Sequence, residues 1–468
     1  MEDFFNFLES CPTPYHFISY AREELTKNGF VELKETEDFN LAGKDIQNAF
    51  VIRDEKALIA FKLNSKQETS NDSPSIIGVC TNSDVPCLKL KGNYLQNVKN
   101  SVECKNEDDI SEDTSNSSYQ LIRLAQYGSA LWQTYLDHDL KVAGAVCIRN
   151  PSTNQFERRL IDSKRGIMVI PNIAVHNNSA VSLSPNYNAE KHLHAIFSVT
   201  NDNGTKPTFK EYILSLLNDP KLTVDDIVDW DLSIIGSQES SNLNDSIFAS
   251  GLSNHSNCYA SLKAFLAHRS ESTEKVPIQL LAIFDEAMNS GVGRDGAKGT
   301  FLGSVLDKIY QYIKPSPIPE QLSIKGRSLL VSLSTIHCTH PNQTTSYTND
   351  SMNPATFGKG PILRCTTRSG LTTDIHGIAA IKTASDNAKI PLQVHIPSNK
   401  SNVPRTQGPN LQFVSGILTT DIANPILAKY SIREMMNWSD INNMEKLLEE
   451  LYYEYDKCRV SDEIVHTE

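Results

Sequence analysis

The sequence lacks the features that mark several common classes of protein. Its nine cysteines are scattered singly and none forms a C-x-x-C pair, so neither a paired-cysteine zinc site nor a regular disulfide framework is predicted. No dense Lys/Arg cluster occurs in a chain of formal net charge -12, which argues against nucleic acid as the main partner. Reduced thiols in the cytosol are the simpler expectation.

Long apolar segments are also missing. No stretch approaches the roughly 18–20 apolar residues that a membrane-spanning helix needs, so we expect no membrane insertion. The first residues, Met1-Glu2-Asp3-Phe4-Phe5, are acidic where a secretory leader requires basic ones, so no such leader is expected. The chain is, however, long. Its 468 residues, 39% of them hydrophobic, can bury a large core and predict two domains.

Common catalytic motifs are absent or incomplete. The sequence contains no H-E-x-x-H, no G-x-x-x-x-G-K-[ST] and no G-x-S-x-G. Gly291–Gly296 matches G-x-G-x-x-G, but six residues separate it from the preceding predicted strand, so we interpret it as a flexible loop rather than a dinucleotide site. His337–His340 offers two imidazoles and a thiol, which resembles part of a zinc site or simply the polar end of a strand.

The hydrophobic pattern alternates short strands with helices. Strands are predicted over 49–53, 57–61, 75–80, 278–284 and 328–333, and helices over 299–313, 369–388 and 440–456. Residues 141–176 are rich in strand patterns, and residues 206–230 are predicted to be helical. Together these elements predict an α/β sandwich with a parallel or mixed sheet. The acidic, Ser/Asn-rich segment 99–118 is interpreted as a solvated loop, with a partner-binding role as the alternative.

Several segments carry a family resemblance when they are taken together. Cys11–His16 is similar to an opening S-P-[ST]-P-F-H, Gly29–Leu33 to G-F-x-E-L, and Leu131–Leu140 to L-W-x-T-W-F-D-R-D-L. Identical matches occur at Lys359-Gly360-Pro361, His340-Pro341-Asn342 and Ser431–Met435. In order and spacing these segments, from residue 4 to about 455, resemble the aspartyl aminopeptidase family, di-zinc exopeptidases that remove N-terminal Asp or Glu.

The resemblance implies an architecture and an assembly. We expect a zinc-aminopeptidase-like α/β sandwich made of residues 1–91 and 240–468, with residues 92–239 forming an inserted, strand-rich dimerisation domain. Active members of the family form tetrahedral dodecamers, in which the inserted domain passes one segment towards a neighbouring active site. The counterparts of that segment, Trp132, Asp137 and Asp139, are retained, so a homo-oligomer is expected, although the loop at 99–118 could block some contacts.

The resemblance fails where the family carries its chemistry. The family's metal ligands align with Cys80, Ser253, Met288, Ser334 and Tyr430, its ligand-orienting Asp with Asn82, and its general base with Ala287. None of these residues has a carboxylate or an imidazole, whereas two adjacent zinc ions need a bridging carboxylate and about two further ligands each. Ala287 cannot accept a proton from water. We therefore expect a degenerate site, no metal cofactor and no peptidase activity.

Several roles remain open for such a chain. It could assemble with or regulate an active aspartyl aminopeptidase paralogue, or bind acidic N-termini without cleaving them. Arg364 aligns with the family's substrate-binding Lys and is either a cation for an acidic side chain or an ordinary strand-end residue. An assembly or trafficking role would place a cytoplasmic protein on a route to the vacuole, as for some family members. The alternative is a rebuilt metal-dependent aminopeptidase, in which Cys80 binds one zinc ion with His337 or Glu286.

Overall fold

The computed structural model describes most of the chain. The described residues are 1–37, 46–63, 74–90, 118–174, 188–200, 208–268, 276–313, 318–343, 353–399 and 405–459, together with 39, 176 and 403. The acidic segment predicted to be a loop, 99–118, lies outside them except for its last residue.

The described helices and strands alternate along the chain. The helices are α1 Glu2–Ser10, α2 Pro14–Lys27, α3 Ala189–His192, α4 Phe209–Leu217, α5 Leu252–Leu266, α6 Phe301–Ile313, α7 Ile318–Gly326, α8 Ile375–Ala388, α9 Gly408–Ser415 and α10 Trp438–Cys458. The strands are β1 Val31–Leu33, β2 Asn48–Arg53, β3 Ala57–Lys62, β4 Ile76–Asn82, β5 Cys87–Leu90, β6 Ser118–Tyr127, β7 Leu140–Arg149, β8 Phe156–Asp162, β9 His194–Thr200, β10 Ile227–Gly236, β11 Ser241–Leu243, β12 Ser246–Ala249, β13 Ile278–Phe284, β14 Leu329–His337, β15 Ile362–Arg364, β16 Gln393–His395, β17 Leu418–Ile426 and β18 Glu434–Asn437. Within the described ranges, no helix has both the length and the apolar character needed to cross a bilayer.

The chain divides into two compact units. The first comprises Met1–Val85, Ser240–Lys429 and Glu434–Glu468, and the second comprises Pro86–Glu239 and Tyr430–Arg433. The division therefore falls six residues before the boundary expected at 91, because β5 pairs with β6 and β10 of the second unit. Residues 430–433 group with the second unit through hydrogen bonds such as that from the Leu131 amide to the Tyr430 carbonyl, at 3.0 Å.

A nine-stranded sheet forms the centre of the first unit. Its strand order is β1-β2-β3-β13-β4-β14-β17-β15-β16, and the four neighbours β13, β4, β14 and β17 run parallel. All seven residues of β4 and of β13 are buried, as expected for parallel strands covered on both faces. Since their carboxyl ends lie at the same side of the sheet, we call the region around Asn82, Phe284 and the last residues of β14 the carboxyl edge.

Helices cover both faces of this sheet, which confirms the predicted α/β sandwich. Side chains of β13 alternate between two cores, with Leu281 and Ile283 in one and Leu280 and Ala282 in the other. The first core is completed by α1, α2, α5, α8 and α10, and the second by α6, α7 and α9. A three-stranded sheet, β11-β12-β18, also belongs to the first unit.

The second unit is built on a six-stranded sheet with its own core. The strand order is β8-β7-β10-β5-β6-β9, and the described pairs are antiparallel. The prediction of a helix over 206–230 was wrong beyond α4. Asn218 ends that helix with a left-handed backbone of φ 48, and residues from Ile227 onward pair with β7 as strand β10.

Other predicted elements agree with the structure to within a few residues. The strand predicted over 278–284 coincides with β13, while β14 continues to His337 because it pairs with β17 along its whole length. Helix α8 begins at Ile375 rather than at 369, since the Asp374 side chain accepts a hydrogen bond from the His376 amide and caps the helix. Propensity patterns locate such elements better than they locate their ends.

The packing of α8 on β17 yields a testable prediction. A Cβ at Gly377 would overlap the hydroxyl of the fully buried Thr420 and lie 2.9 Å from its Cβ. We expect Gly377→Ala to lower the free energy of unfolding by roughly 1–3 kcal/mol, because overpacking outweighs the helix propensity of alanine. Denaturant unfolding measures this. The matched control is Gly326→Ala at the end of α7, where nothing lies within 4 Å of the new Cβ. Equal stability of the two variants would contradict the prediction.

Candidate functional site

The sequence-predicted site residues of the first unit lie along the carboxyl edge. Cys80 and Asn82 lie among the last residues of β4, and Ser334 lies near the end of β14. Arg364 ends β15, which runs antiparallel to β17, and it reaches this edge through the contact of its side chain with Ser334. Ser253 opens α5, while Ala287 and Met288 form a short 3₁₀ turn after β13. Ligands of α/β proteins bind outside the carboxyl ends of parallel strands, so this is the expected place for a site.

Tyr430 belongs to the second unit. Its backbone has φ 72 and its carbonyl accepts the Leu131 amide, as noted above. The retained acidic residues Asp137 and Asp139, which follow Leu131 in the sequence, make hydrogen bonds within the same unit. The Asp137 carboxylate accepts the Asn172 amide at 2.7 Å, and the Asp139 carbonyl accepts the Ser237 amide at 3.0 Å.

Cys80 presents a thiol to the core of the sheet. It is fully buried, and this burial raises its pKa well above the usual value. A buried, protonated thiol is a poor metal ligand because metals bind the thiolate. The backbone carbonyl of Cys80 accepts a hydrogen bond from Gln407 Nε2 at 2.9 Å, which ties β4 to the residue that precedes α9.

Asp84 was not singled out by sequence reasoning, yet its carboxylate holds the loop that follows β13. Its carboxylate is buried and accepts the backbone amides of Ala287 and Met288, at 3.1 and 3.0 Å. The two residues therefore present amides to a carboxylate instead of presenting carboxylates to a metal. Nothing in the sequence pairs residue 84 with a loop about two hundred residues further along the chain.

Ser253 and Glu434 meet at the start of α5. The Ser253 amide donates to Glu434 Oε2 at 2.8 Å, and Glu434 is only 2% exposed. The Ser253 hydroxyl is buried and has no hydrogen-bond partner among the described residues. Sequence reasoning recorded Glu434 only as part of a matching segment, although it is a buried carboxylate at the edge.

Arg364 reaches the position that aligns with a ligand Asp. Its Nη1 donates to the Ser334 hydroxyl at 3.2 Å, and the side chain is buried. A second cation lies beside it, because Lys429 Nζ donates to the Thr335 carbonyl at 2.8 Å. The pKa of Lys429 is lowered to about 8, mainly by burial and then by the charge of Arg364, while the charge of Glu434 opposes both. In the sequence, no motif points to Lys429 except that it precedes Tyr430.

Asp421 is a further carboxylate that sequence reasoning missed. It is fully buried and lies level with Ser332 in the paired strands β14 and β17. Oδ1 accepts the Ser332 hydroxyl at 2.6 Å. Oδ2 accepts the amide and hydroxyl of Thr372, at 2.7 and 2.9 Å, and the Thr406 hydroxyl at 2.8 Å. Four accepted hydrogen bonds leave this carboxylate occupied in holding loops together.

The two incomplete motifs lie in ordinary structural surroundings. The loop Gly291–Gly296 folds back on itself, since a Cβ on Gly296 would overlap the Gly291 carbonyl. His337 ends β14, and burial lowers its pKa to about 4, with smaller contributions from Lys429 and His340. In the described part of the chain, no group of three or more His, Cys, Asp or Glu side chains is arranged to hold a metal ion.

The donors at the carboxyl edge do not fit a pair of zinc ions. The aligned residues of the first unit supply a protonated thiol, two hydroxyls and a thioether, none of which bridges two dications. The carboxylates of Asp84 and Asp421 are occupied by N–H and O–H donors, and Glu434 accepts the Ser253 amide. Arg364 and Lys429 add positive charge where the metals would need negative charge.

The chain matches one protein family over nearly its whole length. Residues 7–452 match the family described as Aminopeptidase I zinc metalloprotease (M18). The chain is 28% identical to Aspartyl aminopeptidase 4 of Saccharomyces cerevisiae over 497 aligned positions, which cover 99% of this chain and 96% of the relative. It is 26% identical to the Aspartyl aminopeptidase of Caenorhabditis elegans, over 96% and 94% of the two chains.

Solved structures share the fold. A chain in the cryo-EM structure of the Ape4 and Nbr1 complex aligns with a TM-score of 0.85 at 24% identity, covering 98% of this chain and 87% of that one. The Saccharomyces cerevisiae mApe1 dodecamer aligns with a TM-score of 0.76 at 20% identity, covering 98% and 97%. These similarities establish a zinc-aminopeptidase-like α/β fold.

The buried His255 on α5 gives a prediction for pH. Burial lowers its pKa to about 4, opposed in part by a hydrogen bond with the backbone of Ser83. Between pH 6.5 and 4 the unfolded chain binds this proton and the folded chain does not, so stability falls as the pH falls. The difference corresponds to about 3 kcal/mol. We expect the stability of the His255→Gln variant to fall less over this pH range, because the variant lacks the buried imidazole.

Chemical unfolding at pH 7 and pH 4.5 measures the effect. His340→Gln is the control, because His340 is exposed. The control should keep the full decline of the unmodified chain. If His255→Gln declined as steeply as His340→Gln, the buried imidazole would not be the source.

Proposed function

We propose that this chain, which belongs to the aminopeptidase I zinc metalloprotease (M18) family, is a catalytically inactive member with a binding or assembly role. The observation that carries the proposal is the donor set at the carboxyl edge. Cys80, Ser253, Met288 and Ser334 stand where the resemblance places metal ligands, and none supplies a carboxylate or an imidazole.

The same positions also lack the groups that hydrolysis needs. Peptide hydrolysis at a zinc centre needs a base that takes a proton from water, a contribution of about 10²–10⁴-fold. Ala287 has no such group, and the loop that carries it is held by Asp84 through backbone amides. Glu286 adjoins the lost pair, and its carboxylate lies 3.8 Å from Lys56 Nζ and accepts the Asn289 side-chain amide. This favours a non-catalytic role over a rebuilt peptidase.

The binding or assembly role is supported by the relatives. This chain shares its fold with chains that form a dodecamer, and a structurally similar chain occurs in a complex of Ape4 with Nbr1. We propose that this chain forms a homo-oligomer, or assembles with an active aspartyl aminopeptidase paralogue, through the strand-rich domain placed at 92–239. In this proposal the protein is cytoplasmic, and its delivery to the vacuole would follow from assembly with cargo.

Zinc content and peptidase activity test the loss of catalysis. The purified full-length protein should carry far less than one zinc ion per chain, because the donors do not hold one. It should release no Asp or Glu from chromogenic N-terminal substrates, at rates at least about 10²–10⁴-fold below an active family member prepared in parallel. Ala287→Glu should not restore activity, since the ligands stay absent. Stoichiometric zinc together with release of acidic residues would establish the rebuilt enzyme instead.

Light scattering tests assembly. The protein alone should have the mass of a homo-oligomer, or should gain that mass when it is co-expressed with an active family member. Size-exclusion chromatography of the tagged chain, followed by identification of co-eluting subunits, separates the two outcomes. A monomer under both conditions would exclude the assembly role.

A further inference from the structure

We infer that Lys62 is a modification site, at which its side-chain amine accepts a small activated acyl group from a thioester or an acyl phosphate. Lys62 ends β3 and pairs with the second residue of β13, whereas the carboxyl edge lies at the last residue of β13. The inference therefore goes beyond the proposed function and does not depend on it. Its observations are the surroundings of this amine and of one buried amide oxygen beside it.

Three polar side chains form a row across the sheet at the amino-terminal end of β13. Lys62 is paired directly with Asn48 of β2 and with Gln279 of β13, and both pairs are antiparallel. Directly paired residues of antiparallel strands extend their side chains to the same face of the sheet. Ala60, two residues earlier on β3, belongs to the core that α5 and α10 help to cover. The row therefore faces that core.

The amine of Lys62 lies in aromatic surroundings. Its Nζ is 4.9 Å from the centroid of the Phe265 ring on α5, and that ring is fully buried. The Lys62 side chain itself is only partly buried, which leaves a small reagent a route to the amine. Burial lowers the pKa of Lys62 to about 8, and no carboxylate among the described residues opposes this.

Lys56 provides the contrast, since it lies at the other end of the same strand. Its Nζ is 3.1 Å from the Asp285 carboxylate and 3.4 Å from that of Asp295. Burial opposes the charged form there too, but the charge of Asp285 and further groups raise the pKa of Lys56 above its usual value. Lys56 is thus held as an ammonium ion, whereas Lys62 gives up its proton far more easily.

Gln279 supplies a buried acceptor beside the amine. The side chain is 3% exposed, and its Nε2 donates to the Tyr452 carbonyl at 3.0 Å. Its Oε1 is buried and accepts no hydrogen bond within the described part of the chain. An acceptor buried without a donor is unfavourable. Acylation would turn the ammonium group of Lys62 into an amide, whose N–H is a donor in the same row as this oxygen.

The chemical step balances with the acyl donor as its one co-reactant. The neutral amine attacks the acyl carbon, a C–N bond forms, and the bond from that carbon to sulfur or to phosphate oxygen breaks. The thiolate or phosphate leaves with the electron pair, and the amine loses one proton to water. The product amide is uncharged, which suits an apolar site. A carbamate formed from carbon dioxide would instead bring a negative charge, so these surroundings favour the acyl group.

The expected reactivity follows from two opposing effects. A pKa of about 8 instead of the usual value leaves roughly 10²-fold more neutral amine near pH 7. A less basic nucleophile is also intrinsically slower, and a Brønsted slope of about 0.4–0.5, as for thiols, reduces that gain by about tenfold. The net advantage over an ordinary lysine is therefore about tenfold.

Site-resolved acetylation tests the inference. The full-length protein is treated near neutral pH with acetyl phosphate and, in parallel, with acetyl-coenzyme A, and each lysine is followed by peptide mass spectrometry. Lys62 should react about tenfold faster than Lys382, which is exposed on α8, and Lys56 should react more slowly than Lys382. The rate at Lys62 should level off above about pH 9, while the rate at Lys382 keeps rising.

The outcomes separate the possibilities. Selective reaction with one donor alone supports the site and identifies the source of the acyl group. If Lys62 reacted no faster than Lys382 with either donor, or if its rate rose with pH as that of Lys382 does, the inference would be overturned. Zinc content and peptidase activity do not enter this experiment, so the proposed function can fail without it.

Two variants test the surroundings of the amine. Lys62→Arg keeps a cation and should remove the fast site while the rates at Lys56 and Lys382 stay unchanged. Acetylation should lower the unfolding equilibrium constant at least tenfold more in the native sequence than in Lys62→Arg, because it removes a buried charge. Gln279→Met keeps the size of the side chain without its acceptor and should diminish that gain. A gain of equal size in Lys62→Arg would contradict the site, and an undiminished gain in Gln279→Met would contradict the role of the amide oxygen.

Discussion

A carboxylate buried at the end of a parallel sheet must be offset by positive charge or by several donors, and the carboxyl edge of this protein depends on that requirement. Asp84 is offset by two backbone amides, and Asp421 by one amide and three hydroxyls. Glu434 has one amide and the charge of Lys429 nearby. Each acidic group is thus satisfied by the chain itself. The three carboxylates therefore bind other groups of the protein.

The layers of the fold could be predicted from the sequence because buried parallel strands are continuous apolar runs. β13 is such a run, and its predicted limits coincide with Ile278 and Phe284. Element ends were less certain where hydrogen bonds decide them, as at the Asp374 cap of α8. The helix predicted over 206–230 failed because strand pairing with β7, a contact distant in sequence, overrides local propensity beyond Asn218.

That the positions aligned with metal ligands are degenerate stays a prediction from the sequence, whereas the contacts that these residues make could not be predicted. Motif comparison predicts that Ser334 and Met288 are not ligands because it needs only the identity of each residue. It has no means of pairing Asp84 with a loop 203 residues further on, or Arg364 with a hydroxyl on another strand. Lys429 and Asp421 went unnoticed for the same reason, since their roles exist only once the strands are side by side.

The Asp84 contact has a consequence for evolution. Its carboxylate accepts hydrogen bonds from the amides of Ala287 and Met288. A mutation to glutamate at either position would therefore bring a second negative charge beside the first. Substitutions at residues 84, 287 and 288 are therefore expected to be coupled, so that an acidic side chain at 287 or 288 is tolerated only together with a change at residue 84.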